Sequence, residues 1–129
     1  MDRRHSKFFA LLVALSAAFS AMPLLQPFFF ASSDGLYHLY RLMEYDLLLT
    51  SGVWYPRWAP DFYFGAGLPL FNYYAPLTYY LAEVFHLLGA GYIDSIRLLI
   101  FAGMILSGLG AFLYARTFFS PLASLLVAI

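Results

Sequence analysis

The chain contains no cysteine, which excludes disulfides, thiolate metal sites and a cysteine nucleophile together. Charge is scarce as well: only 11% of the 129 residues are Asp, Glu, Lys or Arg, and the net charge is zero. A typical globular chain is about a quarter charged, so too little charge is present to coat a surface that faces water on all sides. A net charge of zero gives no support to a nucleic-acid partner held by a basic patch. No glycine-rich loop followed by Lys-Ser/Thr is present to cradle a phosphate. Zinc-type histidine spacing is lacking too, since His5, His38 and His86 are scattered over different segments. Internal repeats and low-complexity tracts are also absent.

What the chain has in abundance is apolar surface. Hydrophobic residues make up 63% and aromatics 21%, and the aromatic content excludes a disordered chain. This composition points to an integral membrane protein, and the expected fold is an all-α, multi-span transmembrane bundle. The first apolar run, Phe8 to Leu25, carries no charged residue and continues toward Phe28, giving an expected span over 8–28. About 18 residues or slightly more cross a hydrocarbon core roughly 30 Å thick. Arg3, Arg4 and Lys7 precede it, which places the N-terminus in the cytoplasm by the positive-inside rule. The competing reading is a cleaved signal peptide with Ala18-Phe19-Ser20 as the site, although a signal core is usually about 7 to 15 residues long.

Residues 31–73 form the longest polar stretch and are expected to be an extracytoplasmic loop. A second span is expected over 74–90, with Tyr73, Tyr74, Tyr79 and Tyr80 as interfacial anchors and Glu83 and His86 three apart on one face. Those two residues read either as a functional pair or as groups that bond each other inside a bundle. Gly89-Ala90-Gly91 breaks the helix. A third span follows over 95–116, with Asp94 ahead of it as a candidate N-cap. Gly103, Ser107, Ala111 and Ala115 fall four apart on one face, a spacing that lets helices approach closely and that also arises by chance. Arg97 fits a cytoplasmic turn, whereas Arg116 near the outer end does not. Pro121 opens a last run over 121–129. The eight apolar-run residues from Leu122 to Ile129 cannot cross a bilayer, so the expectation is the start of a fourth span in a fragment of a longer protein.

Within the loop, 35–49 reads as an interfacial helix. At about 100° per residue, Leu36, Tyr40, Met43 and Leu47 cluster on one side, while Asp34, His38, Arg41 and Tyr45 cluster on the other. Leu42, Leu48 and Leu49 fall toward the polar side. The expected arrangement is greasy face down in the membrane interface and polar groups up. Asp34 reads two ways: as a simple N-cap, or as a carboxylate that accepts a proton from an acceptor hydroxyl or ligates a divalent cation. Arg41 either snorkels to headgroups or binds phosphate. Downstream, Tyr55-Pro56-Arg57-Trp58 presents a cation and aromatic faces on a loop, a combination suited to an anionic headgroup and a sugar ring, and equally to an interfacial anchor. Asp61 is the next carboxylate, and Gly65-Ala66-Gly67 permits a tight turn.

The string Asp34-Gly-Leu-Tyr-His38, Arg41, Gly52-Val-Trp-Tyr-Pro-Arg-Trp58, Pro60-Asp61, Gly65-Ala-Gly-Leu-Pro-Leu-Phe-Asn-Tyr-Tyr74 and Pro76-Leu77 resembles the N-terminal part of bacterial multi-span "6-pyruvoyl-tetrahydropterin synthase-related" membrane proteins. Those in turn are similar to GT-C-type glycosyltransferases that use polyprenyl-phosphate sugars. The soluble synthase itself needs a clustered zinc-binding histidine set that this chain lacks. The resemblance covers about Lys7 to Leu88 and implies an active site in the first extracytoplasmic loop of a bacterial inner-membrane protein. It implies Asp34 as the catalytic or metal-associated carboxylate, with Mg or Mn as the divalent ion. Asp61 is inferred as a second acid. Arg41 and Arg57 are expected to hold the donor phosphate, Tyr55 and Trp58 to lie against sugar or lipid, and His38 and Asn72 to complete the substrate-facing set. The expected partners are membrane lipid and a polyprenyl-phosphate sugar donor. The alternative is a non-catalytic membrane scaffold that associates through the Gly103 face.

Overall fold

The computed structural model describes residues 3–26, 28–29 and 32–129. Pro27, Phe30 and Ala31, at the expected junction between first span and loop, lie outside the described residues. Among the described residues there are five α-helices: α1 (Arg3–Ser20), α2 (Gly35–Thr50), α3 (Pro76–Leu87), α4 (Tyr92–Ala115) and α5 (Pro121–Ala128). Short 3₁₀ turns at Met22–Leu25 and Leu70–Asn72 and one antiparallel bridge, Ala59 with Leu68, complete the described secondary structure.

The all-helical class holds, but the multi-span bundle does not. Among the described residues one helix, α4, is long and apolar enough to cross a membrane. Its 24 residues reach about 36 Å at 1.5 Å per residue. The expected first span fails because its apolar run is not one helix. α1 ends at Ser20, and the chain turns at Ala21 into a 3₁₀ segment with Pro23 near its start, leaving Lys7–Ser20 as a shorter apolar helix. Proline lacks the N–H that would continue an α-helix. The expected second span is 12 residues, about 18 Å. Pro76 at its first turn and Gly89 (φ +101°) just beyond its end confine it. Residues 121–129 give a helix of eight residues. Asp94 is not a cap: α4 starts two residues earlier, and Asp94 pairs within the first turn with Arg97 (Nη1 to Oδ1, 2.8 Å).

The chain divides into two compact units, Met1–Phe28 with Ile100–Ile129, and Phe29–Leu99. In the first, α1 packs against α5. Its core is Val13, Phe112 and Leu125, flanked by Phe9, Leu12 and Leu109. A groove of about 560 Å³ in this unit is lined by Ser16, Ser20, Gly103, Ser107 and Ala111, among others. Most of the expected small-residue face thus borders open space, whereas Ala115 is buried.

In the second unit α2 packs against α3. The Tyr45 ring is fully buried. It meets Phe71 edge-on at 4.9 Å, Tyr80 edge-on at 5.1 Å and Tyr79 at 5.6 Å. The two sides of α2 read from its periodicity exist as sets, but burial is distributed otherwise than expected. Leu42 and Tyr45 are buried while Leu36, Tyr40, Met43 and Leu47 are exposed. The tyrosines of α3 and Phe71 offer the side with Tyr45 an aromatic surface to pack on, and that contact decides the orientation.

Three glycines of α4 test the first unit's packing. A Cβ on Gly108 would stand 2.9 Å from Val13 Cγ1, whereas at Gly103 and Gly110 nothing lies within 4 Å. Alanine is favoured over glycine in a helix by roughly 0.5–1 kcal/mol. Gly103→Ala and Gly110→Ala are therefore expected to raise thermal stability, and Gly108→Ala to forfeit that gain or reverse it. Equal shifts for all three in a melting experiment would contradict this packing.

Candidate functional site

Asp34 precedes α2 but does not cap it through its side chain. Its backbone (φ −115°, ψ −4°) is outside the extended geometry that carries a capping oxygen over the helix end. Ser32 takes that role instead, its Oγ accepting from the Gly35 N–H at 3.0 Å. Asp34 is exposed. Among the described residues no group of three or more His, Asp or Glu side chains stands where it could hold a metal ion. A lone exposed carboxylate is also a weak ligand set for Mg or Mn, which demand near-octahedral oxygen coordination. Asp34 alone does not supply the oxygen set that such an ion demands.

His38 and Arg41 turn toward α3 rather than toward Asp34. His38 Nδ1 and the Tyr79 hydroxyl share a hydrogen bond at 3.2 Å, and the Arg41 guanidinium lies 3.9 Å from the Tyr74 ring centroid. Arg41 is thereby committed to an aromatic face. Tyr55, Arg57, Trp58 and Asn72 gather on the loop that follows α2. Arg57 Nε donates to Asn72 Oδ1 at 2.6 Å, and its guanidinium lies 5.7 Å from the Tyr55 ring. Arg57 and Asn72 are both exposed.

The Ala59–Leu68 bridge closes this loop by reciprocal N–H to carbonyl bonds of 2.8 and 3.0 Å. Between its ends the backbone turns left-handed: Tyr63 and Phe64 have φ of 57° and 59°, Gly65 and Gly67 of 82° and 78°. For bulky residues such as Tyr and Phe this is strained backbone. The turn is fastened by Gly67 N–H to Phe62 O (2.9 Å) and Ala66 N–H to Tyr63 O (3.1 Å).

Asp61, the inferred second acid, stands on the wall of an open cleft of about 610 Å³. Glu44 and Asp46 of α2 also line it, as do the rings of Tyr37, Tyr40, Phe62 and Tyr63. Glu44 is buried, and its Oε1 accepts the Asp61 N–H at 3.1 Å. Burial pushes the Glu44 carboxyl above the usual carboxylate range; the backbone bond from Asp61 opposes the rise and the Asp61 charge adds to it. The structure thus brings Asp61 to two carboxylates that sequence reasoning had left out of the site, and separates it from Asp34, His38 and Arg41, which do not line the cleft.

Behind Asp46 lies a second set of polar groups. The Tyr92 hydroxyl donates to Asp46 Oδ2 at 2.5 Å, and His86 Nε2 stands 4.0 Å from the same oxygen. The His86 ring stacks on Tyr92 at 4.0 Å, and its Nδ1–H donates to the Ala90 carbonyl at 2.8 Å. Glu83 and His86 do not bond each other as one reading had it. Both instead neighbour Asp46 of α2. Asp46 follows Leu42 by one helical turn and so shares the face of α2 that packs inward, a face that sequence spacing alone does not single out.

Gly67 is the most constrained point of the loop, because a Cβ there would stand 2.4 Å from Trp58 Nε1; at Gly65, with a similar φ, nothing lies within 4 Å. Gly65→Ala is expected to cost the positive-φ penalty alone, on the order of 1 kcal/mol. Gly67→Ala should cost more and displace Trp58. Tryptophan fluorescence in a Trp54→Phe background checks this: a spectrum unchanged by Gly67→Ala would contradict the contact.

No family model, curated protein or solved structure matches the chain, so a functional reading rests on the site's chemistry and on the likeness of the residues quoted above.

Proposed function

We propose that the chain is part of a membrane-bound, glycosyltransferase-like protein that moves a sugar from a polyprenyl-phosphate donor to a hydroxyl acceptor. The observation that carries the reading is the cleft, whose lining combines Asp61, Glu44 and Asp46 with the rings of Tyr37, Tyr40, Phe62 and Tyr63. Aromatic faces suit the apolar face of a sugar ring, and carboxylates accept hydrogen bonds from its hydroxyls. Asp61 is exposed and is the base in this reading. Glu44 is a positioning residue, since it accepts the Asp61 N–H and fixes the turn that carries the carboxylate.

In the step this implies, the acceptor hydroxyl gives its proton to the Asp61 carboxylate. Its oxygen forms a bond to the anomeric carbon of the donor sugar. The bond from that carbon to the phosphate oxygen breaks, and the polyprenyl phosphate leaves with the electron pair. Arg57, exposed and steadied by Asn72 on the same loop but not part of the cleft lining, is the cation this reading assigns to the departing phosphate. α4 meets the length and composition of a membrane anchor, in keeping with a lipid-linked donor at a bacterial inner membrane.

The test uses membranes carrying the whole protein and radiolabelled polyprenyl-phosphate glucose and mannose as donors. Asp61→Asn is expected to lower transfer by about 10²–10⁴-fold, the usual contribution of a general base, and Asp34→Asn to leave it within about threefold. Loss in Asp34→Asn with activity retained in Asp61→Asn would return the base to the carboxylate that the resemblance implies. Absence of transfer in the unmodified protein would sink the reading.

A further inference from the structure

Glu83 is the buried carboxyl that the cleft chemistry does not use. It is 2% exposed, and neither of its oxygens receives a hydrogen bond. The groups around it are Asp46 from α2, His86 from its own helix and Tyr92 from α4. None donates a hydrogen bond to it. Tyr92 donates its only proton to Asp46 Oδ2. The Nδ1–H of His86 is spent on the Ala90 carbonyl, and its Nε2 faces Asp46. An ionised carboxylate buried without a donor, beside a second carboxylate, is doubly unfavourable, from desolvation and from like charge. A proton removes both penalties, because the protonated carboxyl becomes a donor and Asp46 beside it is an acceptor.

We propose that Asp46 and Glu83 form a proton-binding site that holds one proton between them at neutral pH and exchanges it with the cleft through Asp46. Asp46 is the member of the pair that lines the cleft, whereas Glu83 does not. Tyr92 and His86 fix the orientation of Asp46, so the pair is held rather than free to swing apart. The proton affinity agrees with the geometry: burial first, then the charge and hydrogen bonding of Asp46, push the Glu83 carboxyl up to about 7, against a smaller opposing effect of His86. Sugar transfer is not assumed here, and the site is read without a substrate.

The experiment is infrared difference spectroscopy on the full chain in detergent micelles, titrated from about pH 5 to about pH 8, the window around the raised carboxyl. One protonated-carboxyl band is expected to disappear as pH rises through about 7, to shift in D₂O, and to be missing in Glu83→Gln. A band unchanged in Glu83→Gln, or no carboxyl titrating in this window, would overturn the proposal. So would a midpoint that moves when sodium replaces choline as the only salt cation, since a metal ion would then be the ligand. Stability provides a second readout. Glu83 binds its proton more tightly folded than unfolded, so its stabilisation is present at low pH and lost as pH rises through the folded value. The melting temperature should fall across the window in the unmodified chain and fall less in Glu83→Gln, where only the raised carboxyl of Glu44 remains. If Glu83→Gln does not fold, Asp46→Asn serves: the band should remain but titrate at lower pH, and an unmoved midpoint would refute the pairing.

Discussion

The packing of Tyr45 between α2 and α3 is the contact on which the rest of the 29–99 unit depends. A fully buried ring touching Phe71, Tyr79 and Tyr80 fixes the rotation of α2 about its own axis, because no other rotation puts that ring against those partners. Everything else on the helix follows from 3.6 residues per turn. His38 comes round to Tyr79 of α3, and Arg41 to Tyr74 just ahead of it. Asp46, one residue after Tyr45, comes round to Glu83, His86 and Tyr92. Tyr40, Met43 and Leu47 are left to line the cleft. Edge-to-face aromatic contacts of this kind contribute about 0.5–1.5 kcal/mol each beyond area burial, so the cluster is worth more than one hydrophobic contact.

Two buried glutamates, one on each of these helices, illustrate opposite solutions to the same problem. Glu44 receives a backbone N–H from Asp61 and spends its buried charge on holding a loop in register. Glu83 receives none, and a proton is the remaining way to satisfy it. The difference lies in what packs over each residue. A loop covers Glu44 and brings a free N–H with it. The neighbours of Glu83 are side chains whose own donors are already committed, so its burial carries a cost that depends on pH.

How far these arrangements could be read from the chain depends on the range of the interaction concerned. α2 was legible over 35–49 and is observed as Gly35–Thr50, because a 3.6 period and a glycine after a polar run are local signals. Its burial was not, since Leu36, Tyr40, Met43 and Leu47 form a good apolar stripe and only the tyrosines thirty or more residues downstream settle which side turns inward. The spans were misread for a related reason. Hydropathy counts apolar residues, whereas a span needs them in one unbroken helix, and Pro23 and Pro76 cut the runs short. The pairing of Asp46 with Tyr92, 46 residues apart in sequence, has no local signature at all. Glu83 and His86 were visible as ionisable groups on one face, but the partner they neighbour could not be named from spacing.

The wall of the cleft opposite α2 is built on unfavourable backbone. Tyr63 and Phe64 both sit at positive φ, at a cost on the order of 1–3 kcal/mol for each such residue. Few contacts over-determine that geometry: the Ala59–Leu68 bridge, the bonds from Gly67 and Ala66, and the Asp61 N–H on Glu44. A single backbone bond to a helix is thus one of the fastenings of a strained turn, and it ends on a carboxylate. If Glu44 takes up a proton it remains an acceptor, but a weaker one, because a charge-assisted bond is roughly twice as strong as a neutral one. The position of Asp61 in the cleft is therefore tied to the charge on Glu44 through one bond, while α2 itself stays fixed by Tyr45.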